Sequence, residues 1–253
     1  MVKRCSFRTR NRQAEPSVSI YTDAFREGWL VLSSGTLDVW TIVLTSLRVS
    51  GTAVAIALAF GLPLGMLLGA KRFIGRTVAL VVFNAGMGLP PVFVGLLVAM
   101  TLSRRGPLGE LSLLYSQSAM IIAQVIIAVP VVVAVTAAAV SAVPRELRLQ
   151  AISLGAPPWR VGVLTLAEAR VGLIAAVAAG FGAIISEVGA VQMVGGNLAG
   201  DTRVMTTAIV EFTRKGQYGP ALGLALVLMA IVIFVNIVLA TMQTSADRYE
   251  ADA

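Results

Sequence analysis

The sequence contains no histidine, a single cysteine and few charged side chains. The absence of histidine removes the commonest metal ligand and the usual general base, which disfavours zinc chemistry and histidine-dependent hydrolysis. The one cysteine, Cys5, cannot form an internal disulfide. We therefore predict no catalytic residues, no metal site and no cofactor, and we expect that the chain is not an enzyme.

The scarcity of charge is matched by an abundance of apolar residues. Charged residues make up 13% of the 253 residues and hydrophobic residues 57%, and the mean hydropathy is +0.85. This composition is typical of an integral membrane protein and not of a soluble domain. The net charge of +7 is what basic anchoring loops produce, so nucleic-acid binding is not predicted. We expect a multi-pass protein in the lipid of the cytoplasmic membrane.

Five stretches reach the roughly 20 apolar residues that a spanning helix needs. They are residues 39–70, 77–102, 113–143, 171–194 and 220–242. The predicted fold is all-α and polytopic, with five transmembrane helices, or six if residues 25–38 enter the membrane. Residues 39–242 would form the transmembrane domain.

Small residues and prolines mark special positions in the first two spans. Gly61, Gly65 and Gly69 recur every four residues, which predicts a close helix–helix contact. Pro90 and Pro91 interrupt the second span. Freed carbonyl groups are tolerated in a bilayer only where protein or a water-filled cavity satisfies them. The prolines therefore indicate either a packing kink or a pore lining.

Basic residues near the ends of the spans orient the chain. Lys71 and Arg72 follow the first span, and four arginines follow the third, so both links are predicted to be cytoplasmic. Five spans then place the tail 243–253 inside and the basic, polar tail 1–24 outside, which conflicts with the positive-inside rule. We interpret residues 25–38 as an interfacial amphipathic helix, whereas a re-entrant segment would return the amino terminus to the cytoplasm.

The cytoplasmic link at residues 145–168 has the pattern of two helices joined by a turn. Leu147, Ala151 and Leu154 fall on one face of a short helix. Gly155 ends this helix, and the proline pair that follows suits the first turn of the next one. An apolar stripe that points at water requires a partner, although an ordinary helical loop could have the same sequence.

This link, "LQAISLGAPPWRV", resembles the cytoplasmic coupling loop of permease subunits of binding-protein-dependent ABC importers. Gly155 and Ala151 match the family pattern Glu-Ala-Ala, three residues, Gly, while Leu149 and Gln150 replace its first two residues. The resemblance implies a type I ABC importer permease fold, a homodimer, a separate ATPase and an extracytoplasmic binding protein. It also implies an ATPase-coupling surface: Leu147, Leu149, Gln150, Ala151, Leu154, Gly155, Ala156 and Trp159.

A narrower likeness covers most of residues 38–242. "GLPPVFVGLLVAMTLSRRGPLG" and "FGAIISEVGAVQMVGGNLAGDTRVMTTAIVEF" are similar to tungstate-type permeases, close relatives of molybdate permeases. The resemblance implies uptake of tungstate or molybdate, followed by sulfate-like oxyanions. Amino acids or another small solute are the alternative substrates.

Glu187 is the notable charge within the predicted fourth span, where a charge costs roughly 2 to 3 kcal/mol or more and marks a paired or functional site. We predict Arg203 as its ion-pair partner, with a direct role in the pore or gate as the alternative. The polar break "GGNLAGDTR" supplies flexible glycines and hydrogen-bond donors suited to an oxyanion, although a solvated outer loop has the same composition. The predicted pathway residues are Pro90, Pro91, Glu187, Gly195, Gly196, Asn197, Thr202, Arg203, Thr206 and Thr207.

Three other functions fit less well. The polar break is not a phosphate-binding loop, since Asp201 stands where a lysine is required and no strand precedes it; ATP would be hydrolysed on a partner chain. A proton-coupled carrier could use Glu187 as its relay, but the internal repeat that such carriers often show is absent. An intramembrane protease would need paired aspartates or a serine and histidine set.

Overall fold

The computed structural model describes residues 18–34 and 39–251. All regular structure in these two ranges is helical, which confirms the all-α prediction. A short 3-10 turn, Gly109–Leu111, precedes α5. The α-helices are α1 (Val18–Ser34), α2 (Val39–Ala70), α3 (Arg76–Met87), α4 (Pro91–Leu102), α5 (Gln117–Ala142), α6 (Arg145–Ser153), α7 (Pro158–Glu168), α8 (Arg170–Ile185), α9 (Gly189–Gly195), α10 (Met205–Arg214) and α11 (Tyr218–Ala251).

Three of these helices, α2, α5 and α11, are individually long and apolar enough to cross a membrane. Two bent pairs bring the number to five if each counts as one span: α3 with α4, bent by 99°, and α7 with α8, bent by 64°. The predicted second span is therefore broken. The predicted fourth span, residues 171–194, is wrong as a continuous helix, because α8 ends at Ile185 and α9 begins only at Gly189.

The amino-terminal helix α1 begins at Val18, inside the stretch predicted to be a polar tail. Ala24 and Gly28 are buried one turn apart, while Phe25 is exposed. A Cβ atom on Gly28 would lie 2.9 Å from the carbonyl oxygen of Gly219, so α1 packs backbone against backbone on the first turn of α11. Its location at the membrane interface stays a prediction.

The carboxyl-terminal end of the last spanning helix also differs from the predicted boundary. Helix α11 continues to Ala251, so most of the predicted tail 243–253 prolongs the last spanning helix. Cys5 and the basic amino-terminal residues, like residues 35–38, lie outside the described residues.

The most extensive contact between two helices of the described residues joins α2 to α5. A Cβ atom on Gly65 would lie 2.6 Å from Cβ of Thr136 and 2.8 Å from the carbonyl oxygen of Val133. Gly61 and Gly69 meet α5 equally closely, one turn before and one turn after. Because the contacts advance in the same direction along both helices, α2 and α5 run parallel. The close helix–helix contact predicted from Gly61, Gly65 and Gly69, which we call the glycine seam, is confirmed.

The other helices position the polar segments around this pair. Helix α9 packs with α4 and α5 through the buried residues Val191 and Val194. Helix α10 packs against α2 and α11 through Met205, Ala208 and Phe212. The loop between α9 and α10 is therefore held between two packed helices.

The seam predicts opposite effects for the same substitution at two glycines of α2. Gly65→Ala forces a methyl group against Thr136 and should destabilise the protein by about 1–3 kcal/mol. Gly51→Ala is the matched control, because no atom lies within 4 Å of the added Cβ and alanine favours a helix by up to about 1 kcal/mol over glycine. Thermal unfolding of the purified protein measures both. Equal stability of the two variants would contradict the seam.

Candidate functional site

The link at residues 145–168 folds as the predicted helix–turn–helix, formed by α6 and α7. The amide of Gly155 donates to the carbonyl of Ile152 at 2.9 Å and that of Ala156 to the carbonyl of Ala151 at 3.0 Å, which is the Schellman pattern of a helix end. Gly155 has φ +78°, a left-handed conformation that favours glycine. Pro158 then starts α7.

The exposed apolar side chains of this link include Leu149, Ile152, Leu154 and Trp159, which we call the docking surface. Leu154 is 88% exposed and Trp159 64%, and the guanidinium of Arg160 lies 5.2 Å from the Trp159 ring centroid. Such a cluster of exposed large apolar residues marks an interaction surface.

The predicted face of this helix is only partly correct. Leu147 is half-buried and packs against the cluster of Val140, Val143 and Ala169 inside the bundle, so it holds α6 in place. Ala151 and Ala156 are half-buried, whereas Gln150 is exposed. Ile152, which the sequence analysis missed, is exposed beside Leu149. Helical spacing identified one apolar stripe, but it could not tell which side of the helix faces the bundle.

Pro90 and Pro91 lie at the break between α3 and α4. Pro90 has an extended conformation and Pro91 is the first residue of α4. Both line a cavity of about 310 Å³ whose other walls include Met87 and, on the neighbouring helices α5 and α8, Ile127 and Ala183. The prolines thus form a break that opens onto a cavity, and not a kink within one continuous helix.

Glu187 lies in the break between α8 and α9. One carboxylate oxygen, Oε1, accepts a hydrogen bond from the amide of Ala190 at 2.9 Å, which satisfies one of the amides that the amino terminus of α9 leaves unpaired. The backbone carbonyl of Glu187 accepts from the hydroxyl of Thr206 at 3.0 Å. These contacts fix the break to α10.

A small polar cavity adjoins Glu187 in the interior of the bundle. Ser46, Ser50 and Gln124 line it together with Glu187. Nε2 of Gln124 donates to the hydroxyl of Ser50 at 3.5 Å. Its Oε1 is buried and has no hydrogen-bond partner among the described residues. Glu187 therefore faces uncharged polar groups here.

The predicted Glu187–Arg203 ion pair is wrong, because Arg203 pairs with Glu211. Nη2 of Arg203 lies 2.8 Å from Oε2 of Glu211. Lys215 and Asn197 donate to the same carboxylate. The spacing of Glu211 and Lys215, one helical turn apart, is a signal for a charged cluster that the sequence analysis did not use.

The charge state of Glu211 follows from these contacts. This residue lies on α10, outside the candidate spans. The hydrogen bond from Lys215 lowers the pKa of Glu211 below its ordinary value; burial acts in the opposite direction, and the charge of Arg203 lowers the pKa further. The carboxylate is therefore ionised at neutral pH, and the stabilisation from these contacts is lost as the pH falls through the lowered pKa.

The threonines of the polar segment are used to hold its shape. The hydroxyl of Thr202 donates to the carbonyl of Gly195 at 2.5 Å and accepts from the amide of Leu198 at 2.9 Å. Thr207 makes the corresponding pair of bonds with Val204. All three predicted threonines, including Thr206, are buried, whereas Gly196 and residues 198–201 are exposed, so this segment is an exposed loop that buried threonines anchor.

Two left-handed residues complete the turn after α9. Gly196 has φ +70° and Asn197 φ +53°. A Cβ on Gly196 would lie 2.7 Å from the ring of Tyr115. Nε of Arg203 and Oδ1 of Asn197 are buried without a hydrogen-bond partner among the described residues. The polar segment thus forms a loop that is anchored at both ends and carries one neutralised arginine.

A double-mutant cycle separates the observed ion pair from the one expected from the sequence. Arg203→Gln and Glu211→Gln should be coupled by about 0.5–3 kcal/mol in the free energy of unfolding, because they touch. The control cycle combines Arg203→Gln with Glu187→Gln and should be additive within about 0.5 kcal/mol. Unfolding in denaturant measures both. Stronger coupling to Glu187 than to Glu211 would refute the observed pairing.

Comparison with known proteins supports the resemblance noted in the sequence. Residues 61–248 match the family described as the binding-protein-dependent transport system inner membrane component. A probable anion ABC transporter permease protein of Haloferax volcanii is 43% identical over 201 residues, covering 78% of this chain and 87% of the relative. The tungstate uptake system permease protein TupB of Peptoclostridium acidaminophilum is 40% identical over 221 residues, covering 87% and 97%.

The fold is also that of a solved transporter. The chain is similar to the MetNI methionine ABC transporter in inward-facing conformations, with a TM-score of 0.63 and 17% identity over 86% of this chain and 96% of that one. This confirms the ABC importer permease fold and, with the apolar helices, a multi-pass protein of the cytoplasmic membrane. The chain therefore belongs to the family of inner-membrane permease components of binding-protein-dependent transport systems.

Proposed function

We propose that the chain is the permease of an importer that carries tungstate or molybdate into the cell. The observation that carries this proposal is the 40% identity to a tungstate uptake permease over 97% of that protein. The similar anion permease of Haloferax volcanii supports the same chemical class. Sulfate-like oxyanions are the next candidates, and amino acids are the alternative.

The energy for transport would come from an ATPase on a separate chain, and a soluble binding protein would deliver the anion. The docking surface supports the first partner, because Leu154 and Trp159 project from a helix pair whose turn is fixed by Gly155. Leu149 and Ile152 extend the same apolar patch. A groove on the ATPase would receive this patch. The movement of the ATPase would then be transmitted to the bundle through α7, which is bent against α8.

A second copy of the chain would complete the pathway. Helix α3 has no buried residue within the single chain, and Val78, Val81 and Val82 are each at least 60% exposed. This surface is available to a second copy or to lipid. We place the pathway beside the cavity at Pro90 and Pro91, at the junction of α3, α4, α5 and α8.

The proton-coupled alternative receives less support from the geometry. Glu187 accepts a backbone hydrogen bond from Ala190 at the start of α9, and the cavity beside it is lined by Ser46, Ser50 and Gln124. No second carboxylate among the described residues lines that cavity to pass a proton on. We therefore assign Glu187 a structural role at the break between α8 and α9, close to the pathway. The polar segment around Arg203 would hold this break in place.

The substrate is tested by uptake. Cells that lack their own tungstate uptake and express this permease with its ATPase and binding protein should accumulate tungsten, measured by mass spectrometry of washed cells. Excess molybdate should compete, whereas excess methionine should not. Competition by methionine without competition by molybdate would contradict an oxyanion importer, and so would equal accumulation in cells without the permease.

The docking surface is tested by Leu154→Asp. A carboxylate at the centre of an apolar contact should reduce co-purification of the ATPase and uptake by about tenfold or more. Leu108→Asp is the control, because Leu108 is also exposed but lies in the link between α4 and α5, at the opposite end of the bundle. Normal ATPase binding and uptake in Leu154→Asp would remove this surface from coupling.

A further inference from the structure

A large cavity lies at the carboxyl-terminal ends of α2 and α5, next to the first turns of α3 and α6. Its volume is about 590 Å³, within the range of about 300–1,000 Å³ that is usual for small-molecule sites. Four arginines and one glutamate line it: Arg72, Arg76, Arg145, Arg148 and Glu146. The lining therefore carries an excess of three positive charges, counted as four arginines less one glutamate.

Two of these arginines are held in place by the ends of the spanning helices. Nε of Arg76 donates to the carbonyl of Leu68 at 2.6 Å, and Nη2 of Arg148 donates to the carbonyls of Val140 and Val143 at 2.9 and 3.1 Å. They satisfy carbonyl groups that a helix end leaves unpaired. Because these guanidinium groups are already ordered, an incoming ligand loses less entropy on binding.

The cavity still has hydrogen-bonding capacity after these contacts are counted. Nε of Arg148 is buried without a hydrogen-bond partner among the described residues. Arg72 and Arg145 are exposed at the rim. A guanidinium presents donors in a planar fork that fits two oxygens of a phosphate. The chemistry of the cavity is thus that of a tetrahedral oxyanion such as a phosphate group.

The surroundings point to the membrane as the source of this group. Ile74 in the adjoining link is fully exposed, and Val78 on the first turn of α3 is 67% exposed. Apolar side chains beside a basic pocket at the cytoplasmic boundary can hold acyl chains while the arginines hold the head group. We propose that this cavity binds the phosphate of an anionic membrane lipid.

Such a ligand would also bear on coupling. Arg145 and Arg148 belong to α6, whereas Arg72 and Arg76 follow α2. A phosphate shared between the two pairs would join the coupling helix to the end of the α2–α5 pair. Leu149 and Ile152 of the docking surface also line this cavity, so a bound lipid would fix α6 on the side of these two residues and leave Leu154 exposed.

The test uses the permease in complex with its ATPase and the double variant Arg72→Gln/Arg145→Gln, which leaves the helix-capping arginines intact. The complex is reconstituted in nanodiscs of phosphatidylcholine with or without phosphatidylglycerol. Retained lipid is counted by native mass spectrometry, and thermal unfolding and ATPase rate are recorded. The control is Arg104→Gln/Arg105→Gln, two exposed arginines in the link between α4 and α5.

We expect phosphatidylglycerol to bind and to stabilise the wild type and the control, with about tenfold weaker retention in the Arg72/Arg145 variant. A parallel titration in phosphatidylcholine uses inorganic phosphate and tungstate. If these ions stabilise the wild type but not the variant against thermal unfolding, and the lipid does not stabilise the wild type, the site binds a free anion. If the variant and the control respond alike to lipid and to ions, the proposal is overturned. The outcome does not depend on which solute is transported.

Discussion

The contact between α2 and α5 is the constraint on which the other features depend. Water provides no driving force between helices inside a bilayer, so their association relies on close packing. Gly61, Gly65 and Gly69 let the two backbones approach over three turns. Since the helices are parallel and in fixed register, both end at the same level, on the side that the basic residues predict to be cytoplasmic. The start of α6, and with it the docking surface, is positioned by that register.

The breaks in the remaining spans follow from a second constraint, the need to satisfy backbone groups within the membrane. Where α8 ends, the carboxylate of Glu187 accepts an amide of α9, and the carbonyl of Glu187 accepts from Thr206. Where α3 ends, Pro90 and Pro91 bring no amide hydrogens that would need partners. Both breaks thus occur where protein groups or a cavity replace the missing helical bonds.

Local rules predicted the features that depend on neighbouring residues. The apolar length of the spans, the four-residue repeat of glycine and the helix end at Gly155 are all encoded within one or two turns. The ion-pair partner of Arg203 is not encoded in this local way. Glu187 and Glu211 are both near Arg203 in sequence, and only the packing of α10 selects Glu211. Leu147 was assigned to the wrong side of α6 for a similar reason, since its contacts with Val140 and Val143 are set by the tertiary fold.

The electrostatics of the two ends of the bundle differ in a way that suits one-way delivery of an anion. At the end that carries the polar segment, Arg203 is neutralised by Glu211, and the hydroxyl groups of Thr202 and Thr207 are bonded within the segment. A strong fixed anion site there would slow release, since conduction requires binding weak enough to permit departure. At the end that carries the docking surface, Arg72 and Arg145 are exposed, and at the opposite end Arg104 and Arg105 are exposed as well. Exposed positive charge is thus present at both ends of the bundle but lies outside the polar segment, so beside the docking surface it can stabilise the coupling helix without retaining the anion in the pathway.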